Sequence, residues 1–404
     1  MHRIEISNFG PIKECNMYVN QFTVLTGPQA SGKSTIAKAI YFFRTIKDDI
    51  MDLILKNNSV DTLRLRLEKH LLEKFRGLYG KSLQGRNSIL KYFYDKDIYI
   101  ELQTELFNNK RATFSFNFGY QINIFLSDKD GLSYPIDEET KNKLSDELDE
   151  LFQDDMETVY IPAGRMITSL LSDQLDYILI SMDDKQRSTI DYSVYKYIEF
   201  TRRIRWWFEK NIGEGEYYQK IINAKYRYSN FKEFLLIDNN LIIELRLASS
   251  GQQEAVWILN ILKYFTETNK KIFLIVEEPE AHLYPEAQMY MTDALSLFVN
   301  GGGNSGLITT HSPYILGEFN NLILCGQAKD EGIDKNSIIE AAADIDERAW
   351  FEKDGLQAFH VIDGECKEAL TDGLIKNELI EGASEKIDDK CAGLIDLFHG
   401  EDEK

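Results

Sequence analysis

Gly27-Pro28-Gln29-Ala30-Ser31-Gly32-Lys33-Ser34-Thr35 fits the pattern G-x-x-x-x-G-K-[ST]. A stretch of this kind can cradle a triphosphate. Its two glycines let the backbone curl until the N–H groups converge on the anion, and a helix start adds partial positive charge there. Lys33 would reach the β- and γ-phosphates, and the Ser34 hydroxyl would ligate Mg2+.

Three other groups could take part in the same chemistry. Glu277-Glu278 closes a short apolar run. One carboxylate at a strand end can hold Mg2+ through its water shell, and the next can orient and partly deprotonate an attacking water. Glu277 is then the metal-side residue and Glu278 the base. A solvated acidic turn is the plainer reading of that pair taken alone. His311 follows a small, β-rich run and could touch a γ-phosphate; a lone histidine at a strand end more often has a structural role. Ser249-Ser250-Gly251-Gln252 opens a helical stretch. A hydroxyl, a glycine amide and a helix N-terminus make an anion site, and the same residues fit an ordinary N-cap.

The elements that must position these groups are legible from pattern. Phe22 to Thr26 is short, apolar and β-branched, a buried strand, and Ile36 to Phe42 reads as a helix. Arg3 to Phe9 alternates, Asn8-Phe9-Gly10-Pro11 is a turn, and Ile12 to Val19 gives a second strand. Asp48 to Leu78 has helical spacing, Asp97 to Leu126 reads as two or three strands, and Glu138 to Phe152 as an acidic helix. Val159 to Pro162 is a strand, and Met166 to Asp183 and Val194 to Lys210 are two helices. Phe234 to Ile237 and Leu241 to Leu245 flank Asp238-Asn239-Asn240 as a hairpin. A helix follows to Phe265, then a strand from Lys271 to Val276, a helix from Pro285 to about Phe298 and a strand from Gly306 to Thr310. Asn321 to Cys325 reads as one more strand, and the remainder as mixed, acidic and helix-rich.

Composition narrows the function classes. With 404 residues, 43% hydrophobic and 12% aromatic, the chain can build one large or two ordinary cores. Its net charge is −20, and residues 327–404 carry 22 acidic against 9 basic side chains. That tail reads as a solvated surface, or as a docking face for a basic partner. Nucleic acid is not the favoured partner of so acidic a chain and would need a local basic patch. Arg202-Arg203-Ile204-Arg205-Trp206-Trp207-Phe208 is the most basic and aromatic candidate. On a helix, however, Ile204, Trp207 and Phe208 share an inward face. Cys15, Cys325, Cys366 and Cys391 are far apart in sequence and form no C-x-x-C pair, so reduced thiols in a cytoplasmic protein are expected. No apolar run approaches the length of a membrane span.

The order of phosphate loop, serine-glycine-glutamine stretch, paired glutamates and strand-end histidine resembles the ABC-type ATPase heads of the SMC, RecF and OLD group. The opening Ile4-Glu5-Ile6-Ser7-Asn8-Phe9-Gly10-Pro11-Ile12 resembles that group as well. Glu277-Glu278-Pro279-Glu280-Ala281-His282-Leu283 and Thr309-Thr310-His311-Ser312-Pro313 look closest to compact, OLD-like stand-alone ATPases of bacterial defence and nuclease-linked systems. The fold so implied is an α/β P-loop head, a mixed and parallel sheet flanked by helices. Residues 1–48 and 234–404 form its two halves, around an α+β insertion at 49–156 and a helical lobe at 157–233.

The resemblance implies a head-to-tail dimer. ATP and Mg2+ on Lys33, Ser34, Glu277 and Glu278 of one copy would be completed by Ser249, Gly251 and Gln252 of the other. It also implies a switch that acts on a separate nuclease or toxin, as in Septu- or PARIS-like systems; the alternative is a RecF-like DNA-repair ATPase that binds duplex DNA. The chain departs from the group in four places. Glu277 replaces the usual Asp, and Ser250 replaces a glycine. Val159 to Arg165 lacks the glutamine of the family's glutamine loop, so Arg165 either takes over a γ-phosphate or subunit contact or is a structural surface residue. The stretch from Thr35 to Ser249 is too short for a long coiled coil. No Toprim nuclease half is recognised; Asp344-Ile345-Asp346 alone has a D-x-D look and reads as a solvated turn.

Overall fold

Alternating apolar and polar residues over the first twenty positions form two antiparallel strands, β1 (His2–Phe9) and β2 (Ile12–Val19), which run in register from His2↔Val19 to Phe9↔Ile12. The computed structural model describes residues 2–392, except 57–60, 81–86, 108–110, 131, 133–134, 172–173, 175–189, 239–240, 343–344, 353, 383–385 and 387.

β3 (Phe22–Thr26), fully buried, delivers the phosphate loop, and the helix Lys33–Arg44 follows it. Strands β4 (Ser88–Phe93), β5 (Tyr99–Phe107) and β6 (Arg111–Phe118) form an antiparallel meander that hydrogen-bonds to β1. The segment 49–156 thus extends the same sheet as the N-terminal strands. β7 (Glu157–Ile161), β11 (Ile272–Glu277), β12 (Ser305–Thr310) and β13 (Leu356–Ile362) run parallel with β3. With β14 (Glu365–Glu368) they complete an eleven-stranded sheet of order β6-β5-β4-β1-β2-β14-β13-β3-β12-β11-β7. A smaller sheet joins β8 (Lys225–Ser229), β9 (Lys232–Asp238) and β10 (Leu241–Glu244).

Side-chain alternation divides the parallel strands between two cores. Phe22, Val24, Ile272, Leu274, Val276 and Ile308 face one layer, packed by helices Tyr192–Arg205, Ser250–Thr268, Pro285–Gly302 and Pro313–Asp330. Leu25, Phe273, Ile275 and Leu307 face the other, packed by helices Lys33–Arg44, Ile46–Leu55, Leu63–Tyr79 and Glu138–Phe152. Covering both faces is what buried parallel strands require, and it yields the mixed α/β fold expected. Among the described residues no helix is long and apolar enough to cross a membrane.

Two expectations are corrected. Asn321 to Cys325 lies inside the helix Pro313–Asp330 rather than in a strand. Its buried residues Ile315, Leu316, Phe319, Leu322 and Ile323 repeat at helical spacing, and Ser312 caps the start with Pro313 in the first turn. Residues 120–126 belong to the helix Tyr120–Asp128 rather than to a strand. The tail, read as mixed, contributes β13 directly beside β3. Of the helix expected over 166–183 only Ile167–Leu170 is described; most of the remainder, like Asn239, Asn240 and Asp344, lies outside the described residues.

Candidate functional site

The loop between β3 and its helix has a shape that only its own residue types permit. Gly27 has φ 142°, and a Cβ there would stand 2.3 Å from the Val361 carbonyl oxygen. Gly32, the helix N-cap, has φ 110°, and its Cβ would stand 2.4 Å from Ile12 Cδ1. Both backbone geometry and close packing therefore demand glycine. Lys33 Nζ folds back on the loop and donates to the carbonyls of Gly27 (2.7 Å) and Pro28 (2.9 Å). Burial holds this ammonium below its ordinary pKa, and the charges of Glu278 and Glu280 oppose that shift. Pro28, Gln29, Ala30 and Ser34 are exposed, and Ser31 and Thr35 are half-buried.

The remaining groups arrive on neighbouring strand ends. Register places Thr26 opposite Thr310, and Thr309 opposite Glu277. Glu277 and His311 therefore sit within two strand spacings of the loop, about 10 Å. Glu277 is buried; its Oε2 accepts from the Ala163 N–H at 3.1 Å, while Oε1 is buried with no hydrogen-bond partner among the described residues. An orphaned carboxylate oxygen at this place fits a hydrated divalent cation held with the Ser34 hydroxyl. Glu278 adopts φ 44°, uncommon for a residue with a side chain, and its N–H donates to the Thr309 carbonyl at 2.8 Å. His311 Nδ1 lies 3.7 Å from Glu278 Oε1 and 3.8 Å from Glu280 Oε1.

Arg165 is not a surface residue. Its side chain is fully buried. It donates to the carbonyls of Glu277 (2.7 Å) and Glu278 (2.9 Å), and its Nε pairs with Glu254 at 2.9 Å. Gln252 is likewise engaged inside the chain. It completes a capping box with Ser249, and its amide donates to the Ile222 carbonyl at 2.8 Å. Both residues were candidates at the nucleotide, Arg165 with a structural role as its alternative, and protein acceptors hold both side chains here. Ser249 is the N-cap of the helix Ser250–Thr268 and is exposed. Gly251 packs against the segment after Glu278, where a Cβ would meet the His282 carbonyl oxygen at 2.7 Å.

Three residues of this neighbourhood carry no role in the sequence reading. Glu280 is buried, and its Oε1 accepts from Thr310 Oγ1 (2.7 Å) and from the His311 N–H (3.0 Å), which fixes the histidine backbone. Its place three residues after Glu277 was the available signal. The Tyr160 hydroxyl lies buried beside the Glu277 carboxylate; burial and that charge together hold the phenol far above its ordinary pKa. His360 pairs in register with Thr26, and burial and the Lys33 charge hold its imidazole below the ordinary value. Its strand lay in the stretch read as mixed and helix-rich, with no motif that singled it out.

The basic patch divides between core and surface, with Arg203 and Trp206 exposed. Ile204 and Phe208 are buried, Arg205 pairs with buried Glu233 at 3.3 Å, and Arg203 pairs with Glu157. The inward face expected of Ile204, Trp207 and Phe208 is observed for Ile204 and Phe208, and Trp207 is half-buried against the same core.

The model of the AAA ATPase domain family matches residues 1–316. No curated protein matches the chain. Among solved structures, an Smc head bound to the C-winged helix domain of ScpA is 12% identical, with TM-score 0.42 over 90% of this chain and 95% of that one. The Pyrococcus furiosus Smc head with an extended coiled coil, bound to the C-terminal domain of ScpA, is 10% identical, with TM-score 0.41 over 96% and 99%. The SMC head of Thermotoga maritima is 12% identical, with TM-score 0.36 over 92% and 98%.

Proposed function

The chain belongs to the AAA ATPase domain family and is an ATP-hydrolysing enzyme, and from that premise we propose that two copies close on ATP to form a switch that controls a separate effector protein. In this reading the triphosphate lies on the loop Gly27–Thr35, and Lys33 leaves the Gly27 and Pro28 carbonyls for the β- and γ-phosphates. Glu278 accepts the proton of the attacking water, and His311 contacts the γ-phosphate. Mg2+, held by Ser34 and by Glu277 through water, would neutralise charge between the β- and γ-phosphates. Ser249 and Gly251 of the second copy cap the phosphates from the opposite side.

The observation that carries this reading is the placing of the helix Ser250–Thr268. Its capped N-terminus is exposed, yet Gly251 is seated against His282, four residues after Glu278. An anion-binding helix end is thereby mounted on the same turn as the proposed base. Loss of the γ-phosphate would remove the shared ligand and release the pair. The effector, a nuclease or toxin of an anti-phage system, rests on the OLD-like sequence run around Glu277 and His311.

Sedimentation and phosphate release test the reading on one variant. Glu278→Gln bound to ATP and Mg2+ should sediment as a long-lived dimer and hydrolyse about a hundredfold or more slowly; with ADP it should be a monomer. Hydrolysis at the wild-type rate would remove Glu278 from the role of base. The ATP-held variant should also retain the effector from cell extract where the ADP form does not, and equal retention by both forms would contradict a switch.

A further inference from the structure

Two thiols separated by most of the chain meet on the sheet. β14 pairs with β2 in parallel at Glu365↔Glu14, so the next residues, Cys366 and Cys15, are cross-strand neighbours on the face opposite those glutamates. Adjacent strands lie about 4.8 Å apart, inside the Cα separation that a disulfide spans. Both side chains join the same core layer, and Cys366 Sγ lies 4.0 Å from Met17 Sδ. Both cysteines are reduced thiols in this structure. Cys15 is buried and Cys366 half-buried, so only Cys366 offers solvent access.

We propose that Cys366 and Cys15 form a peroxide-oxidisable pair that closes a reversible disulfide between strands β14 and β2. The Cys366 sulfur attacks an oxygen of hydrogen peroxide; the O–O bond breaks, the departing hydroxide takes up the thiol proton and leaves as water, and Cys366 becomes a sulfenic acid. The Cys15 sulfur then attacks the Cys366 sulfur. The S–O bond breaks, the Cys15 proton leaves with the hydroxyl as a second water, and the S–S bond forms. The two thiols are oxidised and one peroxide is reduced to two waters. β14 is four residues long and meets β2 through a single register pair, which gives it room to approach.

The link bears on the nucleotide loop. The neighbouring turn is already tied to β2, since the Gly364 carbonyl accepts from the N–H groups of Lys13 (2.8 Å) and Glu14 (3.1 Å). Val361, the register partner of Cys366 on β13, presents the carbonyl that Gly27 packs against. Oxidation therefore staples the strand pair that backs the phosphate loop.

The test uses the full chain carrying Cys391→Ser, which removes an exposed thiol. Reduced protein is treated with hydrogen peroxide, remaining thiols are blocked, and unreduced peptides are weighed. A Cys15–Cys366 cross-linked peptide that disappears on dithiothreitol treatment is expected, and it should be absent from Cys366→Ser. Hydrogen exchange across residues 356–368 should slow about tenfold on oxidation. Recovery of Cys15 as a free thiol while Cys366 is driven to the sulfinic acid overturns the proposal. Cross-linking with unchanged exchange overturns the stapling.

Discussion

The Arg165 guanidinium donates to the Glu277 carbonyl at 2.7 Å, and a second of its nitrogens donates to the Glu278 carbonyl at 2.9 Å. One buried cation thus holds the backbone of both proposed active-site glutamates, with Glu254 as its counter-ion. The uncommon backbone of Glu278 has an external restraint in this fork, whose planar geometry a lysine lacks.

Arg165→Met removes the fork and leaves Glu254 buried without its cation. A loss of about 3–5 kcal/mol in stability is expected. Arg165→Lys should keep the fold and lower kcat at least tenfold, with the dissociation constant for ATP little changed. Denaturant titration, steady-state rates and nucleotide binding separate these effects. Wild-type kcat in Arg165→Lys would show that the glutamates keep their positions without the fork.

Lys33 sits on the Gly27 and Pro28 carbonyls, so its replacement by alanine also releases two loop oxygens. Lys33→Ala should abolish both ATP binding and phosphate release while the circular dichroism spectrum stays unchanged. Binding retained at the wild-type level would place the nucleotide elsewhere.

Between the helices Pro285–Gly302 and Pro313–Asp330, Asp293 faces Glu318, and both are buried. Burial first, and then Glu318, push the Asp293 carboxyl from its ordinary 3.8 up to about 8. Lys220 and Glu216 also act on it from the helix Glu216–Ile222, and Tyr217 and Cys325 feel its charge. The folded pair therefore keeps a proton that the unfolded chain loses above about pH 4. Stability from this pair is highest near pH 4. It falls as pH rises towards 8, by up to about 1.4 kcal/mol per pH unit, and then levels. Asp293→Asn should flatten that slope, with its advantage over the wild type widening from pH 5 to pH 8 in denaturant midpoints. Parallel curves for the two proteins would contradict the assignment.

The groups that meet at the strand ends were legible because each sits where a short apolar run stops. β3 stops at Thr26, β11 at Glu277 and β12 at Thr310. Parallel register brings these ends together, and that step needs only the rule that such strands lie side by side. Arg165 was legible as a candidate but not in its direction, since burial of its partner Glu254 is a tertiary fact. Gln252 was drawn toward a ligand by its motif, whereas its side chain closes a capping box that the motif equally encodes. The strand carrying His360 was hidden in an acidic stretch with mixed periodicity. The meeting of Cys15 with Cys366 depends on the order of strands in the sheet, which sequence spacing does not reveal.

The central claim, a site shared between two copies, is tested most directly by mixing two inactive proteins. Lys33→Ala lacks the loop lysine but keeps an intact Ser249 edge; Ser249→Arg keeps the loop and carries a blocked edge. Each alone should release no phosphate above background. Mixed in equal amounts, half of the pairs are hybrids with one undamaged site, so about a quarter of the wild-type rate should return. A mixture as inactive as its components, or a Ser249→Arg protein active by itself, would contradict the shared site.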